Sequence, residues 1–81
     1  MTPSQYIQHI YKTEKKLNFS MQELLDIFNT YGTVEKKLTK SDLYPILREA
    51  NVADGDSRVA GHKVWLTPQA FLAAQKWEAQ Q

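Results

Sequence analysis

Residues 54–71, DGDSRVAGHKVWLTPQAF, decide how this chain is read. Asp54-Gly55 is a turn dipeptide. Arg58-Val59-Ala60 and Lys63-Val64-Trp65-Leu66 are short β candidates on either side of a turn at Gly61. Thr67-Pro68 then opens a helix, with threonine as cap, proline in the first turn, and Leu66 and Phe71 stapled across the start. Ala70, Phe71, Ala74 and Trp77 form its expected buried stripe. Side chains alternate along a strand, so Val64 and Leu66 share one face and Lys63 and Trp65 the other. Trp65 therefore either packs on a helix or stands exposed as a binding anchor.

Upstream, the periodicity turns helical three times. Thr2-Pro3-Ser4-Gln5 is a capping box with proline at the first helical position. Ile7, Ile10, Tyr11 and Leu17 give an apolar stripe, and Asn18 is the expected left-handed terminator, so a helix is predicted over about residues 3–16. Ser20-Met21-Gln22-Glu23 is a second capping box, with Phe19 and Leu24 as its staple. Met21, Leu24, Leu25, Phe28 and Tyr31 repeat on one face, Ile27 broadens it, and Gly32 ends it. A polar, lysine-bearing connection, residues 33–38, precedes a third helix carrying Leu43, Ile46, Leu47 and Ala50 on one face. That helix starts at Thr39 or Ser41; a Ser41 cap keeps Pro45 near the first turn, where its missing N–H costs least. The expected fold is mainly α (α+β), a single domain over residues 1–81: three helices, a small two-stranded β-hairpin wing, then a C-terminal helix.

Size and charge exclude several classes. Eighty-one residues support one core. With no cysteine the chain has neither disulfide nor thiolate ligand. No apolar run reaches the ~18 residues of a membrane span, and no signal-peptide pattern opens the chain, so a cytoplasmic protein without membrane contact is expected. Ten Lys plus Arg against nine Asp plus Glu give a net charge of +1, which suits neither a histone-like protein nor an acidic DNA mimic. Positive charge is local instead, at Lys12, Lys15 and Lys16 and again at Lys36, Lys37 and Lys40.

Catalytic chemistry finds no footing. His9 and His62 stand apart without metal-ligand spacing, and no Gly-rich phosphate loop occurs. The serines sit at caps and turns, and Asp54 and Asp56 are turn residues before they are an acid–base pair. A non-enzymatic protein with no cofactor, no metal and no catalytic residue is expected.

The order of elements resembles a winged helix-turn-helix domain. Asp54, Asp56, Arg58, Val64, Leu66 and Thr67 are similar to the wing of MarR-type regulators, where an Asp/Arg-rich turn leads into a strand ending in Leu-Thr. From Leu43 onward the chain is also similar to excisionase-type domains, in which helix, small wing and helix follow closely. The resemblance covers about residues 17–77, with Leu17-Asn18-Phe19 in place of the family's short first strand. It implies a small DNA-binding regulator or accessory factor acting on double-stranded DNA, with a homodimer compensating the low net charge. The third helix would present Lys40, Ser41, Tyr44 and Arg48, the preceding loop Lys36 and Lys37, and the hairpin Arg58, His62 and Lys63. The near-neutral charge favours another class, a phage or mobile-element adaptor or inhibitor docking on a host protein. Residues 23–48 also have the cadence of an EF-hand, but Lys36 and Lys37 stand where calcium needs carboxylates, so calcium binding is rejected.

Overall fold

The computed structural model describes residues 1–33, 35–50, 58–59 and 62–81, with the side chains of 1–33, 35–49 and 65–81. Its elements run α1 (Pro3–Glu14), β1 (Asn18–Ser20), α2 (Met21–Tyr31), α3 (Lys40–Ala50), β2 (Arg58–Val59), β3 (His62–Leu66) and α4 (Thr67–Ala79). Among the described residues, four helices and a short β2–β3 hairpin between α3 and α4 make the fold mainly α, as the periodicity predicts.

Both early capping boxes form. Thr2 Oγ1 accepts from Gln5 N–H while Gln5 Oε1 accepts from Thr2 N–H, and Ser20 and Glu23 exchange the same pair of bonds. Each box satisfies donors that a helix start otherwise leaves orphaned. The termini differ from expectation. Asn18 does not end α1; Lys15 does, in the left-handed conformation at φ 55°. Asn18 instead enters β1. Gly32 does end α2, yet at φ −81°, which any residue adopts. Its requirement is space: a Cβ there would lie 2.5 Å from the Trp77 ring and against the Phe28 carbonyl oxygen.

The hairpin is one part of a three-stranded antiparallel sheet ordered β1-β3-β2. Asn18 pairs with Leu66, Phe19 with Trp65 and Ser20 with Val64, and on the other side Arg58 pairs with Lys63 and Val59 with His62. Directly paired residues share a face. Phe19 and Trp65 therefore make the buried face and Asn18 and Leu66 the exposed one. This resolves Trp65, which is 4% exposed and packs edge-on to Tyr44 at 6.2 Å. The Gly61 turn and the Asp54-Gly55 turn lie outside the described residues.

Thr67 is a first-turn residue of α4 rather than its cap. Its hydroxyl donates to Lys16 C=O at 2.7 Å and its N–H to Leu17 C=O at 2.9 Å, so it bridges to the approach of β1. The box at α4 is closed by Gln69, whose Oε1 accepts from Leu66 N–H. One cluster of buried side chains joins Ile7 and Ile10 of α1, Phe19, Leu24, Ile27 and Phe28, Leu43 and Leu47 of α3, Trp65, and Ala70, Ala73, Ala74 and Trp77 of α4. Its alanines let α4 pack along both α1 and α3. Tyr11 and Leu17, expected on the buried stripe of α1, stand 42% and 62% exposed. The helix stops before the stripe would bring Leu17 round to the core.

Candidate nucleic-acid interface

α3 is fixed at its start by local chemistry and by one long-range clamp. Thr39 is the cap: its Oγ1 accepts from Asp42 N–H at 3.3 Å, while Asp42 Oδ2 accepts from Thr39 N–H at 2.9 Å. Thr39 Oγ1 also donates to that carboxylate at 3.0 Å. The Thr39 N–H, then its hydroxyl, hold the Asp42 carboxyl below its ordinary range, and the Lys36 ammonium adds a smaller pull. The cap is therefore Thr39, not Ser41. Pro45 consequently sits inside the helix, where it has no N–H to offer the Ser41 carbonyl.

The clamp is Asn29 near the end of α2. Its Oδ1 accepts from Leu38 N–H at 2.8 Å and its Nδ2 donates to Leu38 C=O at 3.0 Å. The connection between α2 and α3, residues 32–39, is longer than the 3–4-residue turn of a helix-turn-helix. Asn29 fastens it one residue before the cap of α3, so the register of the two helices does not depend on a tight turn.

With Leu43 and Leu47 fully buried, the 3.6-residue period places Ser41, Pro45 and Arg48 together on the outward face, and all three are exposed. Lys36 and Lys37 in the connection and Lys40 at the helix start are exposed as well. Four cations stand against three acids over residues 35–49, and one of those acids, Asp42, is committed to the cap. Tyr44 is half-buried. Its ring meets Trp65 on one side, and the Arg48 guanidinium lies 6.0 Å from its centroid. The backbone brings Arg58 and Lys63 opposite one another across the hairpin, with His62 next in the ladder; the side chains of Arg58, His62 and Lys63, and all of Asp54 and Asp56, lie outside the described residues.

Negative charge gathers elsewhere. A hollow of about 350 Å³ between α1, β1 and α2 is lined by Glu14, Glu23 and Asp26 with Tyr6, Lys16 and Phe19. The Lys16 ammonium lies 2.6 Å from Glu23 and 5.3 Å from the Phe19 ring centroid. Burial works against ionisation of Glu23, but the Lys16 ammonium and the Ser20 N–H outweigh it and leave the carboxyl below its ordinary range. Among the described residues no group of three His, Cys, Asp or Glu is disposed to hold a metal ion, and no helix is long and apolar enough to cross a membrane.

Sequence reasoning placed Lys36, Lys37, Lys40, Ser41 and Arg48 where they are accessible. It missed Asn29, and it offered Thr39 as one of two starts of α3 without pairing it with Asp42. The pair carried a signal, a threonine followed three residues later by a carboxylate; Asn29 carried none, because its partner is backbone nine residues away. No protein-family model matches this chain, no curated protein matches it, and no solved structure matches it.

Proposed function

We propose that this chain is a small DNA-binding regulator or accessory factor of the winged helix-turn-helix kind, with no catalytic role, that lays α3 in the major groove and the β2–β3 hairpin along the backbone. The observation that carries the reading is α3 itself. It is capped by Thr39, with Asp42 closing the box, and clamped through Asn29; it buries Leu43 and Leu47, turns Ser41, Pro45 and Arg48 outward, and leaves Lys36, Lys37 and Lys40 exposed. Those lysines are suited to phosphates, and a helix of this width fits the major groove. The strand order β1-β3-β2 supports the same reading, since it ties the hairpin to the body of the domain through β1.

Lys36, Lys37, Lys40, Arg58 and Lys63 would neutralise about five phosphates, which sets a slope of about −4.5 for log K against log salt. A titration of random-sequence duplex DNA at several salt concentrations measures it. No binding at low salt removes the proposal. A net charge of +1 is small for one copy, so two copies per site are expected, readable as stoichiometry in sedimentation of the complex.

A second reading, docking on a partner protein, draws on one observation. Leu17 and Leu66, both exposed, stand at the end of the β1–β3 pairing where apolar surface is open. A partner retained from nuclease-treated extract by the wild type and lost by Leu66→Ser supports it.

A further inference from the structure

Resting on the DNA-binding reading, we propose that Arg48 sets base preference by reading guanine, and that Tyr44 is the residue that positions it. The cations of the candidate surface differ in kind. Lys36, Lys37 and Lys40 carry compact ammonium groups on flexible stems, which suit phosphates of any sequence. Arg48 has a planar fork of donors that matches the two acceptors guanine shows in the major groove, O6 and N7. It shares the outward face of α3 with Ser41 and Pro45, away from the buried Leu43 and Leu47.

What separates Arg48 from an ordinary surface arginine is its support. A helical side chain leans toward the N-terminus of its helix, so residue 48 lies over residue 44 one turn earlier. There the guanidinium meets the Tyr44 ring, 6.0 Å from its centroid. Tyr44 is not loose: its ring stands at 88° to that of Trp65, centroids 6.2 Å apart. Trp65 in turn is 4% exposed, in a strand paired on both sides, opposite the fully buried Phe19. The guanidinium thus lies over a Tyr44 ring that is itself held edge-on by Trp65 of the sheet. A fork held before contact loses less freedom on meeting a base edge than one free in solvent, and this preorganisation turns a cation into a reader.

Selection from a random duplex pool by wild type, Arg48→Lys, Tyr44→Leu and Tyr44→Phe tests this, followed by competition with the enriched duplex in which the preferred guanine is replaced by 7-deazaguanine. The wild type is expected to enrich a guanine and to lose affinity for the best site on the 7-deaza change, by at most the about 5- to 150-fold of a whole bidentate contact because O6 remains. Arg48→Lys should keep random-duplex affinity within about threefold, because the charge stays, yet lose both the guanine and the 7-deaza effect. Tyr44→Leu should weaken the guanine preference, and Tyr44→Phe should retain it because the ring remains. An unchanged consensus from Arg48→Lys overturns the role of Arg48, and an unchanged preference from Tyr44→Leu overturns that of Tyr44. The 7-deaza arm leaves the protein intact, so a folding defect cannot imitate it. A wild type that binds no duplex at low salt sinks the DNA-binding reading as well; one that binds but ignores these changes sinks the inference alone.

Discussion

Lys15 ends α1 at φ 55° and ψ 37°, where a Cβ crowds the following carbonyl. That conformation costs a non-glycine residue about 1–2 kcal/mol. Lys15→Gly removes the cost but loosens the unfolded chain by about 0.4–1 kcal/mol. The net is a stabilisation of about 0.5–1 kcal/mol, read as a higher midpoint in urea; an unchanged or lower midpoint sinks it. The sequence does not advertise this position, because lysine carries no left-handed signal whereas Asn18, three residues on, does. Among the described residues, two carboxylates bear on the response to acid. Glu23 and Asp42 both sit below their ordinary pKa in the folded chain. A depressed folded pKa stabilises above the unfolded value, and that stability is lost as pH falls from the ordinary carboxylate range through the folded pKa. Both groups hold N-terminal caps, of α2 and α3, so acid should loosen those two helix starts together. Amide exchange at Ser20 and Thr39, taken relative to the intrinsic rate at each pH, should lose protection below the ordinary carboxylate range in the wild type. In Asp42→Asn, exchange at Thr39 should lose that dependence while exchange at Ser20 keeps it.

Most elements that rest on neighbours within four residues were legible, the Thr39–Asp42 and Leu66–Gln69 boxes being exceptions. The boxes at Thr2-Gln5 and Ser20-Glu23 and the stripe of α2 follow from spacing alone. Elements that rest on distant backbone were not: Thr67 looks like a cap and is instead a bridge to Lys16 and Leu17, and Asn29 looks like an ordinary polar residue of α2. The candidate site divides along the same line. The exposed cations of α3 were readable from period, whereas the support beneath Arg48 depends on Trp65 arriving from β3. Asn29 governs how α3 is presented, so its removal should cost more than stability. Asn29→Ala abandons two partly buried bonds to Leu38, worth about 2–3 kcal/mol together. Asn29→Asp keeps the acceptor for Leu38 N–H but sets a carboxylate oxygen against Leu38 C=O, so it should be no better. Chemical denaturation gives the first quantity. DNA titration at a temperature where the variants remain folded should show weaker binding and a shallower salt slope. Wild-type binding by a folded Asn29→Ala would mean that the clamp does not aim α3.

Across the whole molecule the chain is closed between its first and last helices. Glu78, near the end of α4, accepts from Ser4 N–H at 2.8 Å and from Ser4 Oγ at 2.9 Å, joining residues 74 apart in sequence. Ser4 lies in the first turn of α1, so the carboxylate meets both an orphaned donor and the positive end of a helix. The contact completes the α1–α4 pairing on which the rest of the core is laid, and its residues are none of those on the candidate surface. Stability and binding are therefore separable here, in contrast to Asn29. Glu78→Ala loses two charge-assisted bonds, about 2–3 kcal/mol. For a domain of this size that lowers Tm by about 10–20 °C, at 4–8 °C per kcal/mol. Glu78→Gln should fall between, because a neutral amide oxygen can still accept from Ser4 without the charge. Below the melting transition both variants should bind duplex DNA with the wild-type salt slope, since Lys36, Lys37, Lys40 and Arg48 are untouched. Thermal melts and DNA titrations on the same samples test both halves. An unchanged Tm dismisses the clasp as a surface contact, and a changed slope in folded protein shows that α1 and α4 take part in binding.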